Sequence, residues 1–245
     1  MHPILFKFGI VTIYSYGFML FIAVVVSLSF LLKDAKKKGY DANVITDLVM
    51  IVLFFGILGA RVLYIILNLD FYAGNPREIF MLQHGGLAIL GGIVAGLLAA
   101  FLFCRYKKLA FLEIIDLLAP YVVLAHSIGR IGCFLNGCCY GLPSKFGIYF
   151  PVHSARLIPT QLISSFLLFM LFIALKVKQR MPHQKGAIFV SYILYYSVIR
   201  FFMEFIRADS PRLFLGLTIF QYFCIVLFAL SSLSYILLWK RKISK

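Results

Sequence analysis

The chain has 245 residues, of which 62% are hydrophobic and 13% charged, and its mean hydropathy is +0.97. A soluble domain is normally about 45–50% apolar and about 25% charged, so this composition excludes one and points to an integral membrane protein. The net charge of +15 would ordinarily raise nucleic acid as a partner, but the basic residues are distributed by topology instead, as the spans show.

Seven apolar runs of helix length are read in chain order, each near the ~20 residues that cross a hydrocarbon core. They fall at residues 13–32, 45–67, 86–104, 114–135, 160–175, 187–206 and 214–239. Runs of this length favour a helical bundle over a β-barrel. The expected fold is therefore all-α, a single polytopic domain over residues 1–245.

The first span opens with Tyr14, Tyr16 and Gly17, where an interfacial aromatic belt is the plain reading. The second carries Arg61 within Gly56-Ile57-Leu58-Gly59-Ala60-Arg61. Ionisable residues inside spans face the bundle interior or a wet cavity and mark function by default. Arg61 is read either as a brace on helix-end carbonyls or as part of a site. The third span is entered through His84-Gly85-Gly86-Leu87 and carries Gly91-Gly92, and small residues at such spacing permit close helix packing. Glu113 and Asp116 open the fourth span, where capping and helix-dipole contacts explain them.

The far end of the fourth span runs into Gly129-Arg130-Ile131-Gly132-Cys133-Phe134-Leu135-Asn136-Gly137-Cys138-Cys139-Tyr140-Gly141. A translocon-type scale charges roughly 2.5–3.5 kcal/mol for an arginine at a helix centre. Glycine gains nothing for a helix but lets backbone approach a ligand. A segment carrying both costs is the first candidate for a site. At the end of the sixth span Arg200 and Glu204, with Arg207 just beyond it, stand at i, i+4 and i+7, the spacing of one helical face. Arg130 and Arg200 lie at similar expected depth with one obvious acid between them. The missing negative charge suits a lipid phosphate, which arginine binds in planar, bidentate fashion.

Fifteen of the 24 basic residues follow spans one, three, five and seven. Six lie in the opposite loops: Lys7, Arg77, Lys145, Arg156, Arg207 and Arg212. The positive-inside rule then places the N-terminus outside and the C-terminus in the cytoplasm. No cleavable signal is expected, because a single lysine precedes span one and no small-residue cleavage site follows a short apolar core.

At these residues the chain resembles the bacterial prolipoprotein diacylglyceryl transferase family. The resemblance is carried by Gly129-Arg130-Ile131-Gly132, Phe134-Leu135-Asn136-Gly137 and Tyr140-Gly141. It is supported by Tyr16-Gly17, Gly59-Ala60-Arg61, Asp116 to Pro120, Pro159-Thr160-Gln161-Leu162, and Arg200, Glu204, Phe205, Arg207 and Asp209 in register. It implies transfer of the diacylglyceryl group of phosphatidylglycerol to the lipobox cysteine of a prolipoprotein signal peptide. A thioether forms, glycerol phosphate leaves, and the setting is the bacterial cytoplasmic membrane. Membrane lipids and the precursor are the implied partners; nucleic acid, metal and cofactor are not expected.

The resemblance puts Arg130 on the phosphate and makes Arg200 a second essential cation. It gathers Tyr16, Asn136, Glu204 and Gly141 around the headgroup or reacting centre. Arg61 and Arg207 are carried as further substrate-binding candidates. The chain also departs from the family pattern. Aligning both double glycines puts Leu90 at the place of the family's histidine, with His84 ahead of the first pair. Cys133 stands where asparagine is typical, and Cys138 and Ser164 where glutamate is. His126, four residues before Arg130, is either a substitute base or a helix-packing histidine. Cys133, Cys138 and Cys139 are read as packing residues, a disulfide, or metal ligands and reactive thiols. Two other functions stay open: a related transferase with another acceptor, and a non-catalytic phospholipid-binding or transport protein. A transporter would show broken helices in corresponding halves, and the sequence shows no such symmetry.

Overall fold

The computed structural model describes residues 1–8, 11–81 and 85–243, so His84 lies outside the described residues. In chain order it shows β1 (Ile4–Phe8), β2 (Val11–Tyr14), α1 (Ser15–Lys37), α2 (Ala42–Leu67), α3 (Leu69–Gly74), α4 (Ile89–Tyr106) and α5 (Phe111–Asn136). β3 (Pro143–Phe150), β4 (Ala155–Leu157), α6 (Thr160–Arg180), α7 (Ala187–Phe205) and α8 (Ile219–Ile243) follow. All the helices except α3 are long and apolar enough to cross a membrane, seven among the described residues. The chain is a mostly helical, multi-pass membrane protein.

Two features differ from the expected all-helical pattern. Antiparallel hairpins β1–β2 and β3–β4 stand at the start of α1 and beyond the end of α5. Strand pairing satisfies backbone groups that no helix takes up there. The seventh span also starts later than residue 214. Leu215 and Gly216 have φ of 55° and 70°, which reverses the chain. A capping box then begins α8: the Thr218 amide donates to Gln221 Oε1 at 2.9 Å, and the Gln221 amide to Thr218 Oγ1 at 3.3 Å.

The chain forms two compact units. One is Leu32–Ile114; the other joins Met1–Leu31 to the chain from Ile115 onward.

In the first of these, α2 and α4 cross at very short range. A Cβ added to Gly59 would lie 2.6 Å from the Gly91 carbonyl oxygen, and one added to Gly92 would lie 3.0 Å from that of Gly56. Only glycine permits that approach, the usual device for helix association in lipid. Arg61 is buried beside this crossing at 5% exposure. Its Nε donates to Ile79 O at 3.1 Å, its Nη1 to the carbonyls of Gly85 and Gly86, and its Nη2 to those of Glu78 and Met81. An arginine has five N–H donors, and all five are used. Gly85 and Gly86, at φ of 81° and 79°, turn their carbonyls toward it. A Cβ on Gly86 would meet Arg61 Nη1 at 2.7 Å. The two double glycines therefore do different work: one lets helices cross, the other feeds carbonyls to a buried cation.

In the second unit, Ala119, Val123, Leu168, Leu171, Leu175 and Ile188 form a core between α5, α6 and α7. Ser127 and Ser165 lock α5 to α6 by exchanging hydroxyl-to-carbonyl bonds of 2.7 and 2.8 Å. Asp116 corrects an expectation. The sequence suggests a cap on its own span, but its carboxylate caps α7 instead. Oδ2 accepts from the Gly186 amide at 2.6 Å and Oδ1 from the Phe189 amide at 2.8 Å. A buried carboxylate at a helix N-terminus gains from both hydrogen bonds and dipole. Glu113 meanwhile accepts from the Tyr40 hydroxyl at 3.1 Å in the other unit.

Candidate active site

The Gly129–Gly141 stretch is the C-terminal end of α5 and the turn that follows it. Gly137 has φ of 79°, its amide bonds to Phe134 O at 3.2 Å, and the Cys138 amide bonds to Cys133 O at 3.2 Å. These paired bonds are a Schellman cap, which needs a residue at positive φ and takes glycine. Cys139 follows at φ of 61°, an uncommon conformation for a side-chain-bearing residue. The next turn of α6 holds it there: Thr160 Oγ1 donates to Cys139 O and Gln161 Nε2 to Cys138 O, both at 2.6 Å. Gln161 is fully buried, and its Oε1 meets no donor among the described residues.

The chain beyond the turn is strapped to the end of α7. Gly141 bridges to Arg207, the Leu142 amide bonds to Ile206 O at 2.9 Å, and the Ala208 amide bonds to Tyr140 O at 3.2 Å. Gly141 lies too close to Ile158 for any side chain, since a Cβ would meet Ile158 O at 2.8 Å. Its place in the motif follows from this packing. α1 reaches the same end through Gly132, where a Cβ would meet Met19 Cβ at 2.9 Å and Tyr16 Cδ2 at 3.4 Å. Tyr16, in the first turn of α1, is thereby held beside the motif with 40% of its surface exposed. Asn136 is the last residue of α5, two residues before Cys138.

Three arginines gather here. Arg200 Nη2 lies 2.8 Å from Glu204 Oε2, and its guanidinium sits 4.9 Å above the Phe220 ring. Arg207 Nε is 3.8 Å from the same carboxylate oxygen. Arg207 also grips Asp209 in bidentate fashion at 2.9 and 2.7 Å. The Glu204 side chain has no exposed surface, and its Oε1 accepts from Thr218 Oγ1 at 3.1 Å. The approach of Arg200 to Oε2 is ionic contact, without the direction of a good hydrogen bond. Thr218 is a site residue that the sequence reading passed over; its signal is the Thr218-x-x-Gln221 spacing.

Arg130 is different. Its Nε donates to His126 Nε2 at 3.2 Å, and no carboxylate reaches it among the described residues. Arginine has no acceptor, so His126 supplies the lone pair and carries any proton of its neutral form on Nδ1. The nitrogen through which His126 would act as a base is already in use. Arg61, in the other unit, has no N–H left for a substrate.

Cys133, Cys138 and Cys139 converge, with all three Sγ atoms within 4.8 Å of one another. No disulfide joins them. The Cys139 thiol is pulled well below the ordinary thiol range by the neighbouring Cys133 and Cys138 side chains, with the guanidiniums of Arg207 and Arg130 adding to the effect. A thiolate is both the nucleophilic and the metal-binding form of cysteine.

This arrangement of cations at a bundle end can be compared with known proteins. The family profile described as "Prolipoprotein diacylglyceryl transferase" matches residues 3–237. The chain belongs to the prolipoprotein diacylglyceryl transferase family. It is 37% identical over 219 residues to the phosphatidylglycerol–prolipoprotein diacylglyceryl transferase of Clostridium tetani, covering 86% of this chain and 87% of that protein. The protein of the same name from Listeria innocua is 34% identical, covering 85% and 79%. That of Lactobacillus acidophilus is 31% identical over 260 residues, covering all of this chain and 91% of its own. Family members therefore run the length of the chain, including both ends of the arginine cluster.

Proposed function

We propose that the chain transfers the diacylglyceryl group of phosphatidylglycerol to the lipobox cysteine of a prolipoprotein, in the bacterial cytoplasmic membrane. The observation that carries this reading is Arg130, a partly buried cation with no carboxylate partner among the described residues, set beside the Arg200–Glu204–Arg207 cluster. Such a cation favours an anion delivered by the substrate, and the headgroup phosphate supplies one. The excess of basic residues at and beyond the C-terminal ends of α1, α4, α6 and α8 supports a site at the opposite, outer-leaflet end.

The acceptor sulfur attacks the glyceryl carbon that bears the phosphate. The carbon–oxygen bond breaks, a carbon–sulfur bond forms, and glycerol phosphate leaves. The attacked carbon is saturated, so no oxyanion hole is involved. Catalysis comes from in-line placement and from neutralising the leaving phosphate. Arg130 takes the phosphate, and His126 fixes the guanidinium through its Nε2. Arg200, held by Glu204, is the second cation. Tyr16 and Asn136 flank the headgroup, while Arg207 and Gly141 hold the strap that shapes the site. An apolar groove of about 200 Å³, lined by Val198, Phe201, Phe202, Ile225 and Phe228, offers a lipid chain a place on the α7–α8 pair that carries Arg200.

Complementation of a transferase-depleted bacterium, scored by lipidation of a lipobox precursor, tests the reading. Wild-type protein should restore lipidation and Arg130→Ala should abolish it. Well-expressed wild-type protein that lipidates nothing would overturn the proposal in favour of another acceptor or a non-catalytic lipid-binding role.

A further inference from the structure

We propose that Cys133, Cys138 and Cys139 bind a zinc ion through three thiolates, and that its fourth position takes the acceptor thiol as a thiolate; this second half rests on the transferase reading. The three sulfurs lie within 4.8 Å of one another. Zinc–sulfur bonds of about 2.3 Å at tetrahedral angles require sulfurs about 3.8 Å apart, so the trio closes on an ion with small side-chain adjustments. The linear Cys-x4-Cys-Cys spacing conceals this. The Schellman turn at Gly137 and the positive φ of Cys139 fold the three residues onto one point.

Several features suit a held ion better than packing or a disulfide. The turn that carries two of the cysteines is fixed from outside by Thr160 and Gln161, which occupy its carbonyls. Ligands pre-positioned by their surroundings are what a metal site needs. A zinc with three thiolates carries a net charge of −1, and the guanidiniums of Arg207 and Arg130, which act on Cys139, offset it. All three cysteines are half-buried, neither sealed in a core nor fully open. Among the described residues the trio has no histidine or carboxylate completing it. Three protein ligands and an open position are the pattern of a catalytic zinc, where structural zinc has four.

The chemistry then closes. The acceptor thiol binds at the open position, displacing water and releasing its proton to solvent. Coordination keeps it a thiolate at neutral pH. Its sulfur attacks the glyceryl carbon, the carbon–oxygen bond to phosphate breaks, and the leaving oxygen takes the bonding pair toward Arg130. The product thioether is a weak ligand and leaves the zinc, which regains water. No separate general base is required. That answers a gap in this chain, where the base nitrogen of His126, its Nε2, is already used by Arg130.

The test uses full-length protein in nanodiscs, purified without chelator or reductant and titrated with zinc alone, then with cobalt(II) as a spectroscopic probe. Wild type should bind one zinc per chain and, with cobalt, show thiolate-to-metal charge-transfer bands of a tetrahedral site. Cys133→Ser, Cys138→Ser and Cys139→Ser should each weaken zinc binding beyond the roughly 10–100-fold that loss of a supporting partner costs. Cys104→Ala, in the other unit, should leave it unchanged. A lipobox peptide with cysteine should shift the cobalt bands, and the same peptide with serine should not. Wild type that binds no zinc, or that shows a Cys133–Cys138 or Cys138–Cys139 disulfide or one copper(I) by mass spectrometry, overturns the site. Zinc binding with no response to the cysteine peptide overturns the acceptor role. Lipidation by a folded Cys133→Ser/Cys138→Ser/Cys139→Ser variant in the complementation assay would refute the zinc step and leave the transferase reading standing. A zinc-loaded wild type that lipidates nothing would overturn the transferase reading, and the acceptor step with it, and leave the metal site standing.

Discussion

Replacing Glu204 by glutamine tests whether the arginine cluster is an ion network or a packing arrangement. The carboxylate is fully buried and faces Arg200 at 2.8 Å, Arg207 at 3.8 Å and the Thr218 hydroxyl at 3.1 Å. Two unit charges about 4 Å apart interact by about 4 kcal/mol at an effective dielectric of 20. Arg207 keeps Asp209 in the variant, so most of the loss falls on Arg200. Glutamine keeps the Thr218 bond but leaves Arg200 buried against a neutral amide. Removing one partner of a buried pair costs about 3–5 kcal/mol. For a chain of this size that is on the order of 10 °C in Tm. The assay is thermal unfolding in detergent of wild type, Glu204→Gln, Arg200→Gln and the double variant. The double variant should be more stable than the sum of the single losses by more than about 1 kcal/mol, because it buries no orphaned charge. Additive losses, or a Glu204→Gln protein within about 0.5 kcal/mol of wild type, would refute the reasoning.

Two further outcomes concern residues placed in the scaffold. Asp116→Asn keeps an acceptor for one of the two α7 amides and sets an NH2 against the other, so it should lose about 2–3 kcal/mol in unfolding assays while phosphatidylglycerol binding is unchanged. Arg61→Lys has three donors for five carbonyls and should expose the chain at Glu78–Met81 and at Gly85-Gly86 to protease at a rate several-fold above wild type; equal cleavage would show that the carbonyls need no such brace.

The spans were legible because lipid imposes a long apolar period that no local chemistry overrides. Their ends were less so. Reading span seven from residue 214 followed hydropathy through Phe214 and Leu215, but the Thr218-x-x-Gln221 capping box marked the true start. A close helix contact at Gly91-Gly92 was legible, since close approach leaves few alternatives to glycine, but its partner, Gly59 on α2, was not. The target of Asp116 was not, because its partner amides lie seventy and more residues away on another helix. The cysteine cluster was hidden for a third reason. Its geometry depends on a left-handed Cys139 held by Thr160 and Gln161, and a conformation so enforced by distant groups leaves no local pattern.

Hydrogen-bond saturation sorts the buried ionic groups of this protein better than depth in the bundle does. By sequence Arg61, Arg130, Arg200 and Asp116 all look alike: charges in or near apolar spans, costly unless compensated. Arg61 has five carbonyls for five donors, and Asp116 has a helix end that wants an acceptor. Each is complete within the chain, so an added ligand gains nothing from it. Arg200 is neutralised by Glu204 and made specific in direction by that pairing. Arg130 alone of the four is fixed by a neutral partner, His126, which orients the guanidinium without cancelling its charge. A cation oriented but not neutralised is what a leaving phosphate requires, because its stabilisation grows as negative charge develops there and not before.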